Sequence, residues 1–149
     1  MTPSRRRVLQ LRVVVEAADF DEALAFYRDV LGLDEEAAFE GEGDARVVIL
    51  DAGRATLELA NPAQVTMIDE VEVGRRVSPH VRIAFEVADT NEATADLVDA
   101  GAELVAPPVI TPWNSLNARL DAPAGLHITL FEELERQPQS SGEAQALLG

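Results

Sequence analysis

The sequence predicts an α+β fold made of two tandem βαβββ modules, and three observations predict it. The first is a repeat. Residues 11–19 and 81–89 align without a gap, with Arg12 matching Arg82, Glu16 matching Glu86, Ala18 matching Ala88 and Asp19 matching Asp89. The register continues through Glu22 and Glu92, Ala23 and Ala93, Ala25 and Ala95, and Asp29 and Asp99. The second is alternation. Leu9, Leu11, Val13 and Val15 alternate with Gln10, Arg12, Val14 and Glu16, and Val81, Ile83, Phe85 and Val87 alternate with His80, Arg82, Ala84 and Glu86, which is the period of a strand with one apolar face. The third is punctuation. Asp19 and Asp89 stand where a helix N-cap belongs, acidic residues follow in the first turn, and Gly32 and Gly101 stand where the helix stops.

In the first copy Ala23, Phe26 and Val30, flanked by Leu24, Tyr27 and Leu31, form a broad apolar stripe able to cover the strand face. Three β-like stretches follow each helix. They fall near 35–39, 45–50 and 55–60 in the first copy and near 103–109, 115–120 and 126–131 in the second, separated by Gly- and Pro-containing turns. Module 1 therefore spans about 8–61 and module 2 about 79–134, with 62–78 as a linker, all within one domain at 1–136. Residues 137–149 read as a flexible tail.

Composition limits the function. The chain has 149 residues, 47% of them hydrophobic and 5% aromatic, enough for one compact core built mostly of aliphatic side chains. Its net charge of −15 opposes nucleic acid and anionic membrane as partners. The absence of cysteine removes disulfides, thiolate metal sites and Cys nucleophiles, leaving His80 and His127 as the nitrogen ligands. The start, 1–7, has the charge of a signal peptide, but Arg12 and Glu16 break the apolar stretch behind it, so a soluble cytoplasmic protein is expected.

Parity places Gln10, Arg12, Thr56, Glu58, His80, Arg82, Asn117, Arg119, His127 and Thr129 on the face opposite the apolar one. That face is either a solvated sheet surface or the wall of a polar cleft. The acidic run from Asp34 to Asp44 reads as a solvated hairpin face. Trp113 sits in a proline-stiffened loop, where it either stacks on a planar ligand or packs the module's edge. No Gly-rich phosphate loop and no GxSxG context is present.

The tandem βαβββ plan, the string 25–33 (AFYRDVLGL) after an Asp-started helix, the Leu57-Glu58-Leu59 strand and the segment 123–130 (PAGLHITL) resemble the glyoxalase, bleomycin-resistance and extradiol-dioxygenase superfamily, the vicinal oxygen chelate fold. The resemblance runs from Val8 to Leu134. It implies an eight-stranded, cleft-shaped mixed sheet, a homodimer, and metal ligands at four cleft positions that correspond here to Arg12, Glu58, Arg82 and Thr129. A guanidinium has five donors and no acceptor, so only Glu58 is a competent ligand and no metal cofactor is expected. A relocated site on His80, His127 and Glu58 would need the histidines to reach roughly 7 Å along their strands.

Three functions follow from these residues. One is a metal-free binding protein that sequesters a drug or metabolite, with its ligand on Gln10, Arg12, Glu58, His80, Arg82, Trp113, Asn117, Arg119, His127 and Thr129. The second is an enzyme with an atypical or absent metal site, in which Glu58 is a general base near Arg electrophiles. The third is a structural module that retains the fold, with Glu58 held between Arg12 and Arg82 as an ion cluster.

Overall fold

The computed structural model describes residues 10, 12–56 and 58–134. The basic start at 1–7, Leu9 and Leu11 of the first expected strand, Leu57, and the expected tail at 137–149 lie outside the described residues.

Module 2 forms as its pattern dictates. Strand β3 (Ile83–Glu86) leads into helix α3 (Thr90–Asp99), followed by β4 (Glu103–Ile110), β5 (Ser115–Ala122) and β6 (Leu126–Glu133). Asp89 caps α3 by accepting from the Glu92 amide at 3.0 Å. The helix stops at Gly101, whose φ of +111° is open to glycine at little cost. The four strands form one mixed sheet in the order β3-β6-β5-β4, with β3 parallel to β6 and the other pairs antiparallel.

Module 1 shares only part of that plan. Helix α1 (Phe20–Leu24) is capped by Asp19, which accepts from the Glu22 amide at 3.0 Å, and it widens into a π-type stretch over Ala25–Val30. The Leu31 amide closes that stretch on the Phe26 carbonyl at 2.9 Å. Strands β1 (Asp34–Glu40) and β2 (Arg46–Asp51) pair as a two-stranded antiparallel sheet, with β1 almost wholly exposed along its acidic side chains.

Two details add to the sequence pattern here. Among the described residues there are six strands in sheets of four and two, where eight were expected. Residues 12–17 and 58–60 lie outside regular structure, with Val14 and Leu59 both 87% exposed. Alternation favours a strand only where a neighbouring strand takes the amides and a core takes the apolar face; among the described residues these segments pair with no strand, and only Ala17 packs on the core. Helix α2 (Pro62–Glu72) forms within the segment that joins the modules. Asn61 caps α2 through the Gln64 amide at 3.0 Å, and Pro62 occupies the first turn, where its missing N–H costs nothing.

The core lies between one face of the four-stranded sheet and helices from both modules. Ala118, Leu120, Ile128 and Leu130 meet Ala23, Phe26 and Tyr27 of the α1 stretch and Leu97 of α3. Phe26 and Tyr27 pack edge to face with ring centres 4.9 Å apart. The Tyr27 hydroxyl donates to the Pro123 carbonyl at 2.8 Å, tying module 1 to the β5–β6 turn.

Candidate functional site

The other face of the β5–β6 pair carries the polar side chains. Strand alternation sets Asn117, Arg119 and Asp121 on it from β5, and the register places Thr129 opposite Arg119 and His127 opposite Asp121. Helix α2 lies over this face and lowers Asp69 and Glu72 onto it, three residues apart on one side of the helix.

Arg119, fully buried, is the hub. Its Nε donates to Glu72 Oε1 at 2.8 Å, and its Nη1 is 3.0 Å from Asp69 Oδ1, 3.2 Å from Ser78 Oγ and 3.2 Å from His127 Nε2. Guanidinium only donates, so His127 Nε2 accepts and the ring proton sits on Nδ1, donating to Asp121 Oδ1 at 2.9 Å. Glu72 Oε2 takes the Asn117 amide at 2.7 Å. Asp69 also accepts from the Ser78 hydroxyl at 2.6 Å, the Val77 and Ser78 amides at 2.8 Å each, and Arg76 at 3.2 Å. Burial would raise the Asp69 pKa, but the hydrogen bonds from Ser78, Val77 and Arg119 outweigh it and hold the carboxyl well below the usual carboxylate range. Two atoms remain over. Arg119 Nη2 and Asn117 Oδ1 are buried with no hydrogen-bond partner among the described residues.

Arg82, just before β3, donates from Nη1 to Thr129 Oγ1 at 2.6 Å. Burial and the nearby positive Arg119 lower its pKa, while Glu72, Glu58 and Asp69 oppose that shift. Glu58 is exposed as a residue, but protein atoms crowd its carboxyl. That desolvation raises its pKa, Glu72 adds to the rise, and Arg82 opposes it. Glu58 and Arg82 therefore sense each other, and Arg82 links to the rest of the network through Arg119 and Thr129.

The remaining expected residues lie apart from this group. Arg12 is exposed and donates to Gln10 at 3.0 Å, so it does not sandwich Glu58 against Arg82. His80 is exposed in the bend before β3. Trp113 sits in the β4–β5 turn, six residues before Arg119, which is roughly 20 Å along the sheet. Sequence reasoning passed over Asp69, Glu72, Ser78, Arg76 and Asp121. The signal for the first two was present in the Asn61-Pro62 helix start and the 69/72 spacing.

A metal does not fit the residues at the four family positions. Arg82 offers only donors, and it occupies the hydroxyl of Thr129. His127 has both ring nitrogens engaged, and among the described residues no three His, Asp or Glu side chains meet in a ligating group.

A mixed sheet with a βαβββ module and a polar face under a connecting helix defines an α+β class. The family model of the Glyoxalase/Bleomycin resistance protein/Dioxygenase superfamily matches residues 10–130, and the chain belongs to that superfamily and has its fold. The glyoxalase family protein from Bacillus cereus superposes with a TM-score of 0.55 at 22% identity, over 90% of this chain and 100% of that one. A superfamily member from Sphaerobacter thermophilus superposes with a TM-score of 0.51 at 26% identity, over 80% and 92%. A glyoxalase-related enzyme from Fulvimarina pelagi gives 0.51 at 18% identity, over 84% and 88%. No curated protein matches the chain significantly.

Proposed function

We propose that the protein is a small-molecule binding member of this superfamily that holds its ligand on charged side chains without a metal. The observation that carries this reading is the Arg82–Thr129 hydrogen bond of 2.6 Å, which puts a permanent cation at two of the four family ligand positions. The leftover Arg119 Nη2 and Asn117 Oδ1 support binding on this face. A buried polar group without a partner costs about 1–3 kcal/mol, which a bound molecule can relieve. The charge of Arg82 favours a compact organic anion such as a carboxylate or phosphate.

The working unit in this reading is a cytoplasmic homodimer. No helix among the described residues is long and apolar enough to cross a membrane. The exposed Val13, Val14 and Leu59 on strand-like, unpaired segments are surface that a second copy would cover.

The test combines metal analysis with calorimetry. The purified protein is expected to hold far less than one metal ion per chain, and chelator is expected to leave its melting temperature unchanged. In titrations with carboxylates, phosphates and cationic drugs, Arg82→Ala is expected to weaken anion binding by roughly ten- to a hundredfold. A stoichiometric metal, or anion binding indifferent to Arg82→Ala, overturns the reading.

One observation favours a second reading. A carboxyl raised by burial and set near a guanidinium is suited to proton abstraction beside a carbonyl, and Glu58 is such a group. Turnover abolished by Glu58→Gln would select this enzyme over the binding protein.

A further inference from the structure

A groove of about 420 Å³ opens at the end of the sheet away from Trp113. One wall is the segment after α2, with Arg75 and Arg76. The other is a row across three strands, Glu103 of β4, Asp121 of β5 and His127 of β6, paired in register as Glu103 with Asp121 and Asp121 with His127. Directly paired residues of antiparallel strands point to the same side.

This row is poor design for stability alone. Glu103 and Asp121 put like charges opposite each other, which destabilises a strand pair. His127 reaches only one of them, because its Nε2 is turned to Arg119 Nη1 at 3.2 Å and its Nδ1 meets Asp121 Oδ1 at 2.9 Å, leaving Glu103 without it. Glu103 has no hydrogen bond or ion pair among the described residues, and Asp121 has His127 alone. Across the groove Arg76 is pinned, its Nη1 donating to Asp69 at 3.2 Å and to the Ser78 carbonyl at 2.7 Å. Arg75 is exposed and has no ion pair among the described residues, so it lines the same groove as two carboxylates without closing on either.

Opposed charges that share a groove and do not meet are complementary to a molecule carrying both signs. We infer that this groove binds a compact zwitterion, an amino acid or short amino-carboxylate, with its carboxylate on Arg75 and its ammonium between Glu103 and Asp121. The volume suits a ligand of that size, and the open mouth permits exchange. Ammonium between paired carboxylates removes the like-charge penalty, and two charge-assisted contacts discriminate against a ligand that has only one. The groove borders the polar network of the sheet face through Arg76, Asp121 and His127, but Arg82 does not line it, and it does not depend on a ligand at Arg82.

The experiment is an NMR titration of the full chain with glycine, γ-aminobutyrate and ε-aminohexanoate, against butyrate and butylamine as single-charge probes. At least one zwitterion is expected to saturate shifts at the amides of 75–77 and 103–105, with both single-charge probes about tenfold weaker or more. Arg75→Ala and Glu103→Gln, both exposed and outside the core, are each expected to weaken the zwitterion about tenfold. Arg82→Ala is expected to leave it unchanged, so failure at this groove and failure at the cleft floor read out separately. No saturable shift, binding indifferent to Arg75→Ala, or butyrate or butylamine binding as tightly as the zwitterion overturns the inference.

Discussion

Replacing Glu72 by Ala tests how helix α2 is held on the sheet. Ile68 is the only apolar side chain of α2 that is buried, beside Asp69 and Glu72. Burying one such side chain contributes about 1.5–3 kcal/mol, too little to seat an 11-residue helix against the loss of its side-chain freedom. The two carboxylates must therefore supply much of the attachment. Glu72→Ala leaves Arg119 Nε and the Asn117 amide buried without their acceptor. Breaking a buried pair costs about 3–5 kcal/mol when the other charge is stranded. Here Asp69 still compensates Arg119 at 3.0 Å, so the low end of that range, about 3 kcal/mol, is expected. For a domain of this size that lowers the melting temperature by about 6–12 °C. Glu72→Gln should cost less, because Asn117 can turn its unpartnered Oδ1 toward the new amide. The assay is differential scanning calorimetry of the three proteins at pH 7. A Glu72→Ala melting temperature within about 2 °C of the parent, roughly 0.5–1 kcal/mol, would refute the account of α2 as a helix held by its charges.

Two pH dependences follow from the buried groups. Burial pushes the Tyr27 phenol up to about 12. Its contribution is therefore complete below the unfolded value near 10 and is lost as pH rises from about 10 to 12, up to about 3 kcal/mol. Tyr27→Phe should flatten that alkaline limb in melting curves, at a cost of about 1 kcal/mol at neutral pH for the lost bond to Pro123. Asp69 has the opposite sign. Its folded pKa is depressed, so its contribution is present above the unfolded value of about 4 and falls away as the pH drops below it. Below that pH the parent should lose stability more steeply than Asp69→Asn, measured as melting temperature against pH.

The sequence by itself determined what local rules and one module's own pattern control. Asp19 and Asp89 cap helices because a carboxylate at the N-cap needs only the amide three residues on. The alternation of β5 and β6 sorted Leu120, Ile128 and Leu130 into the core, and Asn117, Arg119 and Thr129 onto the polar face, because a strand's two sides are decided by parity. The superfamily, too, was readable from the repeat and its strings. What surrounds those side chains was decided by the tertiary structure. Arg12 and Arg82 are equivalent in the repeat, yet Arg82 binds Thr129 beside Arg119, and Arg12 stands in solvent with Gln10. The difference is that β3 has β6 to pair with, whereas residues 12–17 have no partner strand among those described. Asp69 and Glu72 looked like ordinary charges of a linker. They became the counterions of a buried arginine because α2 crosses the sheet, and the depth at which a charge comes to lie is a property of the packed elements that no sequence window contains.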